Sequence, residues 1–240
     1  MLEGSLKVTA RTLFITGTDT DVGKTLIAAG LLRAAAAAGF TTIAVKPVAA
    51  GCEPRGGQLL NEDALALIEE ATISLDYAEV NPVALEPAIA PHIAARSAGL
   101  QVSVADLARH CRRLAEREAD WLIVEGAGGW LVPLNDDETL ADLCQALAAE
   151  VILVVGMRLG CINHALLSVS ELEHRGLRLA GWVANQIDPD MPELEANHQT
   201  LARRIAAPCL GRIPRLSGPD PVAAVAAALD LASLRERSAP

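Results

Sequence analysis

The chain has 240 residues, 51% hydrophobic and 21% charged, so it can bury a full core without disulfides or a structural metal. A net charge of −10 and an aromatic content of 2% exclude a basic, base-stacking nucleic-acid surface and disfavour an anionic membrane as partner. The five cysteines are widely spaced with no C-x-x-C pair, which excludes a disulfide framework and a cysteine zinc site and points to core residues in a reducing compartment.

Met1–Arg11 has mixed charge and no apolar segment of the secretory kind, so a cytoplasmic location is expected. No apolar run approaches the ~20 residues of a membrane helix. Near-continuous apolar, β-branched runs then alternate with helical patterns, as in strands covered on both faces. Strand Leu13–Thr16 precedes helix Lys24–Ala38, and strand Thr42–Val45 precedes helix Asn61–Ala71. Residues Asn81–Gly99 follow no clean period and read as a loop with one short helix. Helix Ser103–Glu118, with Asp106 placed for a capping box, leads to strand Trp121–Val124 and helix Leu140–Ala149. Strand Val151–Val155, helix Asn163–Arg175, strand Gly181–Ala184, helix Glu193–Ala206, strand Cys209–Ile213 and helix Pro221–Leu234 complete the series. Gly39 and Gly176 stand where helices end, and residues 1–10 and 235–240 are expected to fray. The alternation predicts one α/β domain over 1–240, a mainly parallel sheet with helices on both faces.

Three segments carry chemistry. Gly17-Thr-Asp-Thr-Asp-Val-Gly-Lys-Thr25 lies between the first strand and the first helix, the setting of a phosphate-binding loop and of a P-loop NTPase-like fold. Five residues separate Gly17 from Gly23, one more than in the common pattern. Lys24 can reach terminal phosphates, and the Thr25 hydroxyl can ligate magnesium. In Trp121-Leu-Ile-Val-Glu125-Gly-Ala-Gly-Gly-Trp130 a buried strand ends on a carboxylate, at the sheet edge where α/β ligands sit. Glu125 there can hold magnesium directly or through water. Lys46, after the second strand, is a further cation on that edge; on spacing alone it reads as a solvated strand end. Asp63 likewise reads as a first-turn charge that complements the helix dipole.

Taken in order, these segments resemble dethiobiotin synthetases. The resemblance runs through Gly17–Thr25, Lys46-Pro-Val-Ala, Asp63-Ala-Leu-Ala-Leu67, Pro91-His92-Ile93, Glu125–Trp130, Leu159–Ala165, Gly181–Asn185 and Gly211–Pro214. The long gap in the phosphate loop is usual in that family. The resemblance implies a magnesium-dependent ligase of biotin synthesis. Its substrates are 7,8-diaminopelargonate, carbon dioxide and ATP; a carbamate and a carbamic-phosphoric anhydride lead to dethiobiotin, ADP and phosphate.

It also implies the site. Lys24 and Lys46 are catalytic, and Thr25, Asp63 and Glu125 hold magnesium. Asp21, Val22, Gly23, Lys24, Thr25, Leu26, Asp63, Glu125, Gly126, Ala127 and Gly128 surround the nucleotide phosphates and metal. Asn185 and Gln186 read the adenine, with Pro214, Arg215 and Leu216 lining its pocket. Thr20 and Lys46 face the carbamate. In a homodimer Gly160, Cys161, Ile162 and Asn163 reach the carboxylate of the substrate in the other subunit. His164 is structural in this reading, and His110, His174 and His198 lie on the surface. The chain departs from the family at Ala50, where a hydroxyl is usual, at Asp21, where Glu is usual, and over 188–199.

Two other classes fit the pattern less well. A partitioning ATPase carries an extra lysine early in the phosphate loop, whereas positions 18–22 here are Thr, Asp, Thr, Asp and Val. An amide synthase fused to a glutaminase requires a second domain for which this length has no room.

Overall fold

The computed structural model describes residues 10–236, with side chains through Leu234. In chain order the elements are β1 (Arg11–Gly17), α1 (Lys24–Ala37), β2 (Thr42–Val45), β3 (Val48–Ala50), β4 (Glu53–Arg55) and β5 (Gln58–Leu60). Next come α2 (Glu62–Glu70), α3 (Tyr77–Val80), β6 (Val83–Leu85), α4 (Pro91–Ser97), α5 (Val104–Ala115), β7 (Trp121–Glu125) and α6 (Leu140–Ala146). The chain continues with β8 (Glu150–Met157), α7 (Cys161–His174), β9 (Leu179–Gln186), α8 (Leu194–Arg204), β10 (Cys209–Ile213), α9 (Pro221–Ala228) and α10 (Leu231–Glu236).

Six strands form one sheet in the order β10-β9-β8-β1-β7-β2, and every pairing is parallel. Alternate residues of each strand feed opposite faces. Leu13, Ile15, Ile123, Ile152 and Val154 pack with Ile27, Leu31 and Leu32 of α1 and Val225 of α9. Phe14, Leu122, Val124 and Val151 pack on the other face with Leu107, Cys111 and Leu114 of α5 and Leu140 and Leu143 of α6. Trp182 and Leu153 meet Ala165 and Val169 of α7 and Leu201 of α8. The expected α/β sheet covered on both faces is therefore present. No helix among the described residues is long and apolar enough to cross a membrane.

The departures have local causes. The segment 81–99 holds a strand, β6, as well as α4, because Val83–Leu85 pairs in parallel with Val48–Ala50. Glu53–Leu60 is an antiparallel hairpin around Gly56 (φ 59°) and Gly57 (φ 84°), the paired left-handed residues of a type I′ turn. The expected helix 221–234 is two helices, since the Asp230 amide leaves the helix to bond the Leu210 carbonyl of β10 at 2.7 Å. The Asp230 carboxylate then accepts from the Ser233 amide at the start of α10. The helix expected from Leu140 stops at Ala146 as Ala148 turns left-handed (φ 49°). The one expected from Asn163 begins at Cys161, behind Gly160 (φ 94°). Ser103 caps α5, but its hydroxyl donates to the Asp106 carboxylate, so the reciprocal half of a capping box is not made. Within the ends expected to fray, Ala10 is buried and donates to the Ala115 carbonyl, and residues 235–236 continue α10. Residues 1–9 and 237–240 lie outside the described residues.

Candidate active site

β1 runs straight into the phosphate loop. Asp21 (φ 57°) and Gly23 (φ 88°) both adopt left-handed backbone, which curls the loop ahead of α1. At Gly23 a Cβ atom would also stand 2.3 Å from the Asn185 amide nitrogen, so glycine is required twice over. Asn185, buried at the end of β9, donates to the Val22 carbonyl at 2.8 Å. Thr18 accepts from the Gly156 amide, and Asp19 pairs with Arg158 just beyond β8. The loop is thus fastened to both strands beyond β1. Thr20 and Asp21 stay exposed at its tip, and Val22 is buried.

Lys24 opens α1, is 6% exposed and donates to the Asp19 carbonyl at 3.1 Å. Burial, and then the nearby Lys46 charge, hold its ammonium below the ordinary lysine range. Next to it, β2 and β7 end side by side, since Val45 is in register with Val124. The following residues, Lys46 and Glu125, are 3% and 0% exposed. Lys46 Nζ donates to Glu125 Oε1 at 2.5 Å, to Asp63 Oδ2 at 2.8 Å and to the Gly126 carbonyl at 3.2 Å. Thr25 donates to Glu125 Oε1 at 2.8 Å. Burial alone would lower the Lys46 pKa, but Glu125 and Asp63 together outweigh it and hold it above the ordinary range. Burial raises the Asp63 pKa; Lys46 and the Thr25 hydroxyl more than reverse this and keep the carboxylate ionised.

The readings of Lys46 as a solvated residue and of Asp63 as a dipole charge are therefore corrected. The sheet brings a lysine from β2 and a glutamate from β7 into a buried ion pair, and α2 adds Asp63. Two cations and two carboxylates gather at the carboxyl edge of the sheet. Glu125 Oε2 is buried there without a hydrogen-bond partner. An orphaned carboxylate oxygen beside a threonine hydroxyl suits a magnesium ion. Among the described residues, no group of three or more His, Cys, Asp or Glu side chains could hold a metal. The residues thus fit an ion that takes most of its ligands from phosphates and water, the usual habit of magnesium.

Gly126, Ala127 and Gly128 continue from Glu125 along the phosphate loop; a Cβ on Gly128 would lie 3.5 Å from the Thr20 hydroxyl. Leu26 is half-buried on α1. Asn185 touches the phosphate loop, whereas Gln186 donates to the Asp188 carbonyl. Pro214 and Arg215 are exposed after β10, and Leu216 packs partly on the core. Gly160–Asn163 form the start of α7, with Cys161 buried, Asn163 exposed and the preceding Leu159 91% exposed. Burial pushes the Cys161 thiol up, as it pushes those of Cys111 and Cys144 to about 12, so these are poor nucleophiles. His164 and His174 are exposed, but His110 and His198 are half-buried. His110 Nε2 meets the Glu79 carbonyl at 2.7 Å, and the His198 ring lies over Trp182. The sequence reading missed Asp19, Arg158, Tyr77 and Asn81. Asp19 stands in the phosphate-loop motif but was given no role, the other three stand in no motif, and each acts on a segment distant in the chain.

A family model described as an AAA domain matches residues 11–222. The ATP-dependent dethiobiotin synthetase BioD of Pseudomonas aeruginosa UCBPP-PA14 is 58% identical over 221 residues, covering 92% of this chain and 96% of that protein. The protein of the same name from Cellvibrio japonicus is 59% identical over 207 residues, covering 86% and 90%. The chain belongs to the ATP-dependent dethiobiotin synthetase family. It is accordingly an ATP-dependent ligase of biotin synthesis that acts on small molecules. Among solved structures, the MinC:MinD cell division complex of Aquifex aeolicus superposes with a TM-score of 0.56 at 19% identity, over 95% of this chain and 90% of that one. A ParA family ATPase from Chlorobium tepidum does so at 0.52 and 14%, over 95% and 94%. These two share the P-loop fold.

Proposed function

We propose that this dethiobiotin synthetase family member joins 7,8-diaminopelargonate and carbon dioxide, using ATP and magnesium, into dethiobiotin. One amine adds to carbon dioxide and loses a proton, giving a carbamate. A carbamate oxygen attacks the γ-phosphorus and ADP leaves. The second amine attacks the carbamoyl carbon of the mixed anhydride, phosphate leaves, a proton is lost and the ureido ring closes.

The observation that carries this reading is the buried Lys46–Glu125 pair, joined by the half-buried Asp63, beside Lys24 and Thr25. Phosphoryl transfer asks a protein for positioning and charge neutralisation, with little covalent work. Lys24 binds the terminal phosphates of ATP. Lys46 stabilises the charge gathering where the carbamate meets the γ-phosphate, and Thr20 binds the carbamate end of the substrate. Thr25, Asp63 and Glu125 hold magnesium, which supplies charge neutralisation at the phosphates. Asp21–Leu26 and Gly126–Gly128 enclose the phosphates, while Asn185, Gln186, Pro214, Arg215 and Leu216 take the base. The enzyme works as a homodimer of one-domain chains. In it, the amides at the start of α7, Gly160–Asn163, bind the carboxylate of a substrate held by the partner subunit.

The test is incubation with diaminopelargonate, bicarbonate, ATP and magnesium, followed by mass detection of the ureido product. Product is expected only with all four together. ATP hydrolysis that is equally fast without the diamine, with no ureido product, defeats the reading.

A further inference from the structure

The Lys46 backbone lies one residue beyond the end of the sheet. The last registered pair of β2 and β7 is Val45 with Val124, and the next residue, Pro47, has no amide hydrogen to give. A buried peptide without a ladder partner must be satisfied elsewhere. Here the Lys46 amide donates to the Val80 carbonyl at the end of α3 at 2.8 Å. The Lys46 carbonyl accepts from Asn81 Nδ2 at 2.7 Å. Asn81 is itself 3% exposed, and its Nδ2 also donates to the Val83 carbonyl at 3.2 Å.

The orientation of the Asn81 amide is fixed by Tyr77, whose hydroxyl donates to Asn81 Oδ1 at 3.0 Å. The same hydroxyl accepts from the Asn61 amide at 2.7 Å. Asn61 is the N-cap of α2, and its side chain accepts from the Asp63 and Ala64 amides. One phenol oxygen therefore links the segment that delivers Lys46 to the helix turn that delivers Asp63. Those two side chains meet at 2.8 Å. Burial pushes the Tyr77 pKa up, so the hydroxyl keeps its donor proton across the neutral range.

We propose that Tyr77 and Asn81 are positioning residues for the ligase reaction, fixing the Lys46 peptide and the start of α2 so that Lys46 stays registered on Asp63 and Glu125. The proposal rests on the catalytic reading of Lys46. The phosphate loop is fastened separately, to β8 and β9, so loss of the relay should spare ATP binding and lower turnover.

The experiment compares Tyr77→Phe and Asn81→Asp with the wild type in steady-state ligation, each checked by thermal unfolding to be folded at the assay temperature. Tyr77→Phe removes only the bridging oxygen. Asn81→Asp keeps the shape and the acceptor for Tyr77 but cannot donate to the Lys46 carbonyl. Each is expected to lower kcat about 10-fold, the scale of a small misplacement of a reacting group, with KM for ATP within twofold. In a Lys46→Gln background, Tyr77→Phe is expected to add little further loss, since the group it positions is gone. Unchanged kcat in both relay variants overturns the proposal, and so does an equal loss with and without Lys46, the mark of a merely structural part. Near-wild-type turnover in Lys46→Gln itself defeats the reading of Lys46. A crippled Lys46→Gln beside fully active Tyr77→Phe and Asn81→Asp defeats the relay alone.

Discussion

The two ends of the central sheet handle charge in opposite ways. At the amino end, Arg11 on β1 and Glu150 on β8 form a bidentate pair at 2.8 and 3.0 Å, 17% and 18% exposed. Arg178 joins Glu150 at 3.1 Å, and Arg11 also lies over the Trp121 ring. These charges sit on the rim and keep contact with water. At the carboxyl end, Lys24, Lys46 and Glu125 are buried, and Lys46 and Glu125 form an ion pair there. Burying charge is costly, and a fold that needed only stability would replace such a cluster with apolar side chains. The unpartnered Glu125 oxygen and the depressed Lys24 mark this end as built to receive charge from a ligand.

The contrast breaks most sharply at Lys46. Lys46→Ala should lower kcat by at least ~100-fold, the scale of losing one electrostatic stabiliser, with ATP binding within a few fold. It should also lower stability by about 3–5 kcal/mol, because Glu125 is left buried without its counter-charge. Kinetics, nucleotide titration and chemical denaturation read these three effects, and near-normal turnover would return Lys46 to the role of a structural ion.

Lys24 should behave as the reverse of a stabilising residue. Its folded-state pKa lies below the unfolded value near 10.5, so at neutral pH its charge weakens the fold. Stability should then rise with pH between the lowered folded value and 10.5, where the unfolded state binds the extra proton. Lys24→Met should abolish ATP binding yet raise the melting temperature at pH 7 and lose that alkaline rise. Calorimetric scans across pH check it; a lower melting temperature at neutral pH would show that Lys24 is stabilised by its neighbours.

A smaller effect is expected in the loop. Gly23→Ala forces a Cβ onto the Asn185 amide in left-handed backbone, for a loss of about 1–3 kcal/mol together with weakened ATP binding. An unchanged melting temperature would show that Asn185 yields freely. The smallest effect belongs to the amino end. Arg11→Ala should cost about 1 kcal/mol by denaturation and leave kcat unaltered, and any marked loss of turnover would erase the distinction between the two ends.

Much of this molecule was legible in its sequence. The apolar runs ending at Thr16, Val45 and Val124 marked strands, and Gly17, Gly23 and Lys24 marked a phosphate loop, because strand period and turn chemistry are local properties. The hairpin at Gly56-Gly57 was also there to read, in two consecutive residues suited to left-handed backbone. The break between α9 and α10 was not, since the Asp230 amide leaves its helix for a carbonyl of β10.

Nor could the active edge be assigned from local pattern. A lysine after a strand and an aspartate in a first helical turn have ordinary solvated explanations, and spacing favours those. What decides otherwise is that β2 lies beside β7, which places Lys46 against Glu125 across 79 positions of chain. The same holds for Tyr77 and Asn81, which look like loop residues until the end of the sheet leaves the Lys46 carbonyl in need of a donor. The amino-acid order by itself determined the strands of the central sheet, the longer helices and the phosphate loop, through interactions a few residues long. Which charges are buried, and what they face, was decided only when the strands took their neighbours, because desolvation and ion pairing depend on distance in space.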